Sequence, residues 1–166
     1  GKVNLTPKSK RAKKNIASKK IEYARIASKF NTVTSKKKFN FPFIKPVEGR
    51  ISSGFGKIRN YNDGSRSSHA GVDFSNKFGS LIKASNSGNV ILADKLPIHG
   101  NTVMIDHGFG IITIYCHLKS RLVSEGKYVE KGQFIGRLGN TGAVSGPHLH
   151  FGMSVQNVRV NPLFWI

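Results

Sequence analysis

Short segments in which apolar and polar residues alternate follow one another through the second part of the chain. They cover residues 89–93, 101–106, 111–117, 133–138 and 148–155. Glycine-bearing turns separate them, and residues 106–110 have the composition of a hairpin turn. A period of two bounded by turn residues is typical of β-strands. The pattern therefore predicts a mainly β fold, an antiparallel β-sheet domain built from hairpins.

Strand alternation also predicts which side chains share a face of the sheet. In residues 111–117, one face carries Ile112, Ile114 and Cys116, and the other carries Thr113, Tyr115 and His117. In residues 148–153, the core face carries Leu149, Phe151 and Met153, and the other carries His148, His150 and Gly152. We therefore expect His117, His148 and His150 to point away from the apolar faces of their strands.

Upstream of these strands, apolar residues recur at helical spacing. They form a thin stripe of Ile16, Tyr23, Ala27 and Phe30, and Thr6-Pro7 supplies an N-cap and a first helical residue. These signals predict a helix over residues 8–29. Its other faces are rich in lysine, so it either packs through its stripe or lies in solvent as a basic arm. The charge pattern favours a packing helix over a dedicated polyanion binder.

The distribution of glycine marks a change of architecture near residues 42–49. No glycine occurs between Lys2 and Glu48, whereas 16 of the 18 glycines lie in residues 51–166. Glycine suits tight turns and disfavours helices. We therefore predict two units, a basic N-terminal helix and linker in residues 1–42 and a β domain in residues 43–166.

Positive charge is concentrated in the first part of the chain. Residues 1–50 carry 15 lysines and arginines against two acids, within a formal net charge of +19 for the whole chain. A field of this sign attracts nucleic acid, anionic lipid head groups and cell-wall carboxylates. The sequence has no aromatic stacking platform, zinc finger or RNA-recognition motif, so we expect no specific nucleic-acid partner. An anionic envelope surface explains the basic arm at least as well.

Length and cysteine usage set further limits. A chain of 166 residues fits one domain and an extension. Cys116 is the single cysteine, which excludes an internal disulfide. No apolar run approaches the roughly 20 residues of a membrane-spanning helix, so we do not expect this chain to be transmembrane.

Two local patterns place metal-binding side chains together. His69 and Asp73 are four residues apart, a spacing that shares one face of a strand or of a helix. His148 and His150 share one face of a strand. Imidazole and carboxylate both suit zinc, and neither pattern pairs with cysteines, which favours an open catalytic site over a closed structural one. Spacing alone does not decide whether His148 or His150 is the ligand.

The order of the motifs resembles that of the lysostaphin-type, LytM-like peptidoglycan endopeptidases. The resemblance covers about residues 43–164. It rests on four motifs, Ser53-Gly54-Phe55-Gly56, His69-Ala70-Gly71-Val72-Asp73, Tyr115-Cys116-His117-Leu118 and Gly146-Pro147-His148-Leu149-His150-Phe151-Gly152. Four motifs in order at suitable spacing are far more specific than any one of them.

This resemblance implies a zinc-dependent endopeptidase with a substrate groove that hydrolyses peptide cross-links of bacterial peptidoglycan. Carried over residue by residue, it makes His69, Asp73 and His150 the Zn²⁺ ligands and His117 and His148 the catalytic histidines. In metal-assisted amide hydrolysis, the catalytic histidines exchange protons with the attacking water and the leaving amine and stabilise the oxyanion. The resemblance leaves open which of them is the general base.

Two residues depart from the family pattern. Cys116 stands where alanine is usual, and we expect it to be a small buried residue and not a ligand. Val144 stands where a small hydroxyl residue is common, so we expect it at the rim of the groove. We expect His107 to be structural and His99 to lie in a surface loop, with no catalytic role for either.

The family includes enzymes for different cross-links, and the zinc ligands do not choose among them. A loose similarity of the basic helix to a segment of some Gram-negative members favours the D-alanyl to diaminopimelate bond, and so a periplasmic DD-endopeptidase. The alternatives are a secreted glycyl-glycine endopeptidase and a catalytically silent domain that binds peptidoglycan or regulates another wall enzyme. Each alternative places the chain in the cell envelope, periplasmic or secreted.

Overall fold

A layered β structure dominates the computed structural model, which describes residues 2–3, 16–61 and 64–166. The described strands are β1 (Lys2–Val3), β2 (Arg50–Ser53), β3 (Ile58–Tyr61), β4 (Arg66–Ser68), β5 (Val72–Ser75), β6 (Leu81–Lys83), β7 (Gly88–Leu96), β8 (Gly100–Asp106), β9 (Ile111–Leu118), β10 (Ser120–Arg121), β11 (Tyr128–Val129), β12 (Phe134–Arg137), β13 (Leu149–Val155) and β14 (Val158–Val160). The α-helix α1 (Ile16–Phe30) precedes β2, and a 3₁₀ helix (Pro162–Phe164) follows β14. The predicted mainly β class is confirmed.

The large sheet positions the rest of the molecule. Its strands lie in the order β11-β7-β8-β9-β13-β5-β2, with β14 paired to β13, and its pairings are antiparallel. Burial alternates along the first part of β7, as a period of two requires. His107 N donates to Ile111 O at 2.9 Å and Ile111 N donates to Gly108 O at 3.0 Å between β8 and β9. The hairpin predicted at residues 106–110 is therefore confirmed.

A hydrophobic core separates one face of the large sheet from the small sheet β10-β12-β6. Phe74, Tyr115 and Phe151 from the large sheet contribute fully buried rings to this core. Ile82 and Ile135 come from the small sheet and are equally buried. Two packed β layers around an apolar interior account for the stability of this part of the fold. A third sheet, also small, has the order β1-β3-β4.

The opposite face of the large sheet is covered by α1. Ile26 and Phe30, each 3% exposed, pack on the sheet residues Leu92, Met104, Ile112, Ile114 and Cys116. The interpretation of α1 as a packing helix is therefore confirmed, but the predicted stripe is not the face that packs. Phe30 is buried, whereas Tyr23 and Ala27 are exposed and Ile26 takes their place. The helix was predicted over residues 8–29 and is described from Ile16 to Phe30; residues 4–15, with the predicted N-cap, lie outside the described part. No helix among the described residues is long and apolar enough to cross a membrane.

The segment after α1 also contacts the large sheet. Lys38 Nζ donates to Asp106 Oδ2 at 2.6 Å, and this ion pair is shielded from solvent because the side chains are 9% and 1% exposed. Lys38 N donates to His107 O at 2.9 Å. The predicted boundary between residues 42 and 43 stays a prediction; these contacts show that the described part of the first unit packs on the second.

Alternation holds in β13 but fails at the end of β9. Leu149, Phe151 and Met153 are fully buried as predicted. In β9, however, Asn101 of β8 pairs with Leu118 and Val103 pairs with Tyr115, so Cys116 and His117 together oppose one residue. This β-bulge, with His117 at φ 64°, turns His117 to the same side as Cys116. The prediction that His117 shares the face of Tyr115 is therefore wrong. The face that carries His117 is also not a polar surface, because α1 covers much of it.

Candidate metal centre and cleft

An open cleft of about 510 Å³ lies where the helix-covered face of the sheet ends. Its walls come from α1, from the turn between β7 and β8, from the loop before β13 and from segments around β3 and β4. All five histidine and aspartate residues that the sequence analysis assigned to the site line this cleft. The structure therefore brings together residues that lie up to 81 positions apart, as His69 and His150 do.

Strand register brings Asp73 and His150 together. In the ladder, His150 of β13 lies directly opposite Asp73 of β5 on one side and Cys116 of β9 on the other. Directly opposite residues point to the same side of a sheet. Asp73 Oδ1 and His150 Nδ1 accordingly lie 2.9 Å apart.

His69 reaches the same point from the segment that enters β5. Its backbone is held by hydrogen bonds from His69 N to Lys57 O at 3.0 Å and from Gly56 N to His69 O at 2.8 Å. The Nδ1–H group of the ring donates to Gly54 O at 2.8 Å, which leaves the Nε2 lone pair free. Nε2 lies 2.9 Å from Asp73 Oδ1 and 2.9 Å from His150 Nδ1.

The three donor atoms form a triangle with 2.9 Å sides, and they suit a metal ion. Zinc at about 2.0 to 2.1 Å from each tetrahedral ligand needs donors about 3.3 Å apart, so a shift of a few tenths of an ångström accommodates it. Two imidazole nitrogens and one carboxylate oxygen are a donor set that zinc accepts. His150 is 13% exposed towards the cleft, which leaves a position for water or substrate. The residues present therefore fit a catalytic zinc site.

Neighbouring groups orient these donors. Arg59 Nη2 donates to Asp73 Oδ2, so that Oδ1 faces the two imidazoles. Gly71 makes room for the His150 ring: a Cβ atom there would lie 2.9 Å from His150 Cε1 and 2.4 Å from Phe151 O. Partners of this kind fix the orientation of metal ligands.

The protonation states also suit a metal. Burial raises the pKa of Asp73, but the close imidazoles of His150 and His69 outweigh this effect and hold that pKa well below its usual value. Burial lowers the pKa of His150 to about 4. At neutral pH the site thus presents a carboxylate and a neutral imidazole, the forms that bind cations.

His117 and His148 stand beside the triangle with a common arrangement. The Nδ1–H of His117 donates to Thr141 O at 3.0 Å, and that of His148 donates to Gly146 O at 3.0 Å. Each ring therefore keeps its Nε2 for chemistry, and His148 Nε2 lies 3.9 Å from Asp73 Oδ2. The two ring centroids are 4.9 Å apart. Burial and the nearby His148 and His150 hold the pKa of His117 well below its usual value, so its ring is neutral.

One pair beside the cleft was missed by the sequence analysis. His99 lies in the turn between β7 and β8 as expected, but it also lines the cleft, and its Nδ1–H donates to Glu22 Oε1 at 2.6 Å. Glu22 of α1 is 2% exposed and also accepts from Ile98 N and His99 N. A signal was present, because Glu22 lies four residues before Ile26 and so shares the buried face of the helix.

Three further residues, Cys116, Val144 and His107, lie where the sequence predicted them. Cys116 is fully buried beside Ile112 and Ile114, and burial raises the pKa of its thiol. Val144 lines the cleft, as expected for a rim residue. His107 is fully buried between Ser87 O at 2.7 Å and Thr113 Oγ1 at 2.8 Å, which is a structural arrangement.

Comparisons with known proteins extend these observations. Residues 67–162 match the sequence model of Peptidase family M23. The peptidoglycan DD-endopeptidase ShyA of Vibrio cholerae serotype O1 is 41% identical over 121 residues, which are 71% of this chain and 28% of that protein. A putative M23 peptidase from Pseudomonas aeruginosa is similar in structure, with a TM-score of 0.81, 33% identity and coverage of 92% of this chain and 62% of that one.

A zinc-containing peptidase from Vibrio cholerae is also similar, with a TM-score of 0.63 and 33% identity. That comparison covers 78% of this chain and 39% of the other. The chain spans less than a third of the length of the curated DD-endopeptidases that it matches, with coverage of 28%, 27% and 30% for three of them.

Proposed function

The chain belongs to peptidase family M23, and on this premise we propose that it is a zinc-dependent endopeptidase that hydrolyses peptide cross-links of bacterial peptidoglycan. One observation carries the proposal. The donor atoms of His69, Asp73 and His150 lie 2.9 Å from one another in a cleft that His117 and His148 also line. Three protein ligands leave an open position on a zinc ion for water, and the two histidines beside them supply groups for acid–base work, which together suit metal-assisted amide hydrolysis.

Zinc, when bound, supplies a Lewis acid that polarises the scissile carbonyl and lowers the pKa of water from about 15.7 towards about 7. His69, Asp73 and His150 would hold the ion through Nε2, Oδ1 and Nδ1. Arg59 keeps the Asp73 carboxylate in position through its second oxygen. The remaining steps belong to His117 and His148.

The two accessory histidines are arranged to accept and donate protons at Nε2. Because backbone carbonyls accept from both Nδ1–H groups, each ring in its neutral form has its lone pair at Nε2. One ring takes a proton from the attacking water, and the protonated ring later delivers it to the leaving amine. The other ring, when protonated, donates a hydrogen bond to the developing oxyanion.

The charge of the cleft supports an anionic cross-link as substrate. Lys19, Lys57, Arg59 and Arg66 line it, and Asp73 is the one acidic residue among its described lining residues. A positive cleft raises the local concentration of carboxylate-bearing peptides. The D-alanyl to diaminopimelate cross-link carries free carboxylates, whereas a glycine bridge carries none. We therefore assign the chain as a DD-endopeptidase for that bond.

Digestion of purified sacculi tests this assignment. Sacculi with direct diaminopimelate cross-links and sacculi with glycine bridges are incubated with the zinc-loaded protein, and new termini are identified by mass spectrometry. We expect new D-alanyl carboxyl and diaminopimelyl amino termini from the first wall type. His150→Ala serves as the matched control, because it removes a ligand and leaves the positive cleft in place.

Other outcomes identify the alternatives. New glycyl termini from bridged sacculi would show a glycyl-glycine endopeptidase. Binding to sacculi without bound zinc and without released fragments would show a catalytically silent peptidoglycan-binding or regulatory domain. Both results would contradict the DD-endopeptidase assignment.

The proposed substrate places the protein in the cell envelope, periplasmic or secreted. Peptidoglycan cross-link peptides are its proposed partners. The lysine-rich start of the chain is proposed to add attraction to an anionic envelope surface. Co-sedimentation with sacculi at low and raised salt, with and without residues 1–15, tests this attraction. Unchanged binding after the truncation would contradict it.

A further inference from the structure

Arg159 of β14 carries a positive charge that no described group neutralises. Its guanidinium carbon lies 3.5 Å from the centre of the Phe30 ring, so one face of the group stacks on α1. Nη1 is shielded from solvent and has no hydrogen-bond partner among the described residues. Arg159 also lines the cleft. A buried guanidinium N–H without an acceptor is costly, because it loses its water without gaining a partner.

A second unpaired group lies next to it. Ser154 of β13 is directly opposite Arg159 in the ladder, and its Oγ is buried without a hydrogen-bond partner among the described residues. Burial lowers the pKa of Arg159 to about 10, which still leaves the group charged at neutral pH. Buried polar groups in native structures are nearly always paired, so two orphans side by side indicate a partner that is not among the described residues.

Strand register places Arg159 near the metal triangle. Ser154, Gly152 and His150 alternate along β13 and share one face, and Arg159 joins that face opposite Ser154. Its Nη1 lies 3.4 Å from the position that a Cβ atom at Gly152 would take. Gly152 is two residues from His150, a spacing of about 7 Å along a strand. Arg159 therefore reaches to within about one substrate residue of the metal ligands.

We propose that Arg159 binds the free carboxylate of the diaminopimelyl residue whose amine forms the scissile amide. The proposal rests on the proposed function and names a specificity residue for it. That carboxylate is three bonds from the scissile carbonyl carbon, a separation of about 4 Å at most, and a charge-assisted hydrogen bond adds about 3 Å. The sum is about the 7 Å that separates His150 from Gly152, the residue next to which Nη1 of Arg159 lies. A glycine bridge has an amide group at this position and offers no charge.

A purely structural role predicts something different. The guanidinium stacks on Phe30, and such a contact by itself helps to hold α1 on the sheet. A residue with this role alone would affect folding and every substrate alike. A carboxylate-binding residue affects only substrates that carry the carboxylate. Two substrates that differ in this one group therefore separate the two roles.

The test uses two cross-linked muropeptide dimers that are identical except that this carboxylate is free in one and amidated in the other. The proteins are the zinc-loaded wild type, Arg159→Met, and Arg137→Met as a control. Methionine retains apolar contact with Phe30 and removes the charge. Arg137 is exposed and absent from the cleft lining, so its variant lowers the net charge equally without touching the cleft.

We expect the wild type to show a KM about 10- to 100-fold higher for the amidated dimer, which is the range for losing a hydrogen-bonded charge. Arg159→Met should raise KM by a similar factor for the free-carboxylate dimer and change KM for the amidated dimer by less than about twofold. Zinc content and kcat should stay near those of the wild type. Arg137→Met should leave both KM values unchanged. An equal effect of Arg159→Met on both dimers, or none on either, would overturn the proposal.

Failure of the proposed function is distinguishable from failure of this inference. A wild-type protein that cleaves neither dimer contradicts the endopeptidase assignment. Calorimetric binding of the same two dimers then decides the inference, because wild type should bind the free-carboxylate dimer about 10- to 100-fold more tightly. Equal binding of both dimers by wild type overturns it without recourse to any variant.

Discussion

His117 and His150 lie on the same face of the large sheet, with ring centroids 6.2 Å apart, although strict alternation would place them on opposite faces. His150 lies opposite Cys116 in the ladder, so an unbroken strand would send His117 to the far side. The bulge at Cys116 and His117 removes this conflict. A positive φ in a residue other than glycine costs free energy, and here it brings a histidine to the cleft.

Removal of a proposed zinc ligand should abolish metal binding. His69→Ala, Asp73→Ala and His150→Ala each take away one of three donor atoms that lie 2.9 Å apart. We expect less than about a tenth of the wild-type zinc content by elemental analysis, together with loss of activity. Thr141→Ser, a conservative change outside the triangle, serves as the control. Full zinc occupancy in any of the three alanine variants would refute its assignment as a ligand.

Replacement of an accessory histidine should separate metal binding from turnover. His117→Ala and His148→Ala leave the three donor residues in place but remove an Nε2 to which we assign proton transfer. We expect stoichiometric zinc and a fall in kcat of about 100-fold to 10,000-fold. Normal turnover in the His148→Ala protein would show that His148 has no acid–base role. Loss of zinc in either variant would mean that the histidine is itself a ligand.

Glu22 should stabilise the docking of α1 by accepting hydrogen bonds from the turn that carries His99. In Glu22→Gln, the amide NH₂ must face donors at Ile98 N or His99 N, so at least one buried donor loses its acceptor. We expect the free energy of unfolding to fall by about 2 to 4 kcal/mol in urea titrations. Glu125→Gln is the matched control, because Glu125 also contacts α1, through Lys29, but is 47% exposed. The free energy of unfolding of Glu125→Gln should fall by less than about 1 kcal/mol.

If Glu22→Gln and Glu125→Gln lowered the free energy of unfolding equally, the buried Glu22 carboxylate would contribute no more to stability than an exposed one. A large cost for Glu22→Gln with unchanged zinc content would instead show that Glu22 acts on the helix and the turn, and that the metal site does not depend on it.

His107 should make stability depend on pH. Burial lowers its pKa to about 4, against a usual value near 6.5 in an unfolded chain. As pH falls, the unfolded state binds the proton first, so the stabilisation is complete above about pH 6.5 and is lost as pH falls towards 4. The loss amounts to about 3 kcal/mol over this window. Urea titrations from pH 7.5 to 4.5 measure it.

The matched variant is His107→Gln, which keeps a donor and an acceptor but does not titrate. We expect the wild type to lose about 2 to 3 kcal/mol more than this variant between those pH values. The difference between the two proteins cancels the titration of the metal site, which both share. Parallel pH profiles would contradict the assignment of the effect to His107.

Local patterns in the sequence predict much of the secondary structure. The β-strands and the hairpin at residues 106–110 follow from a period of two and turn composition, which depend on near neighbours in the chain. The helical spacing of apolar residues predicts the helix but not its packing face. That face carries Ile26 and Phe30, whereas Tyr23 and Ala27 of the predicted stripe are exposed. The exact ends of helices and strands are harder to predict from sequence, because they depend on contacts with distant residues.

By itself, the sequence determined the mainly β class and the presence of α1, because these follow from local periodicity, and its ordered motifs pointed to five of the side chains that line the cleft. Tertiary structure alone decided how those side chains meet. The ladder put Asp73 opposite His150, and the bulge turned His117 towards them. Tertiary packing also placed Arg159 at the cleft and Glu22 against the turn that carries His99. Pairing between distant strands and the docking of a helix are not encoded in local spacing.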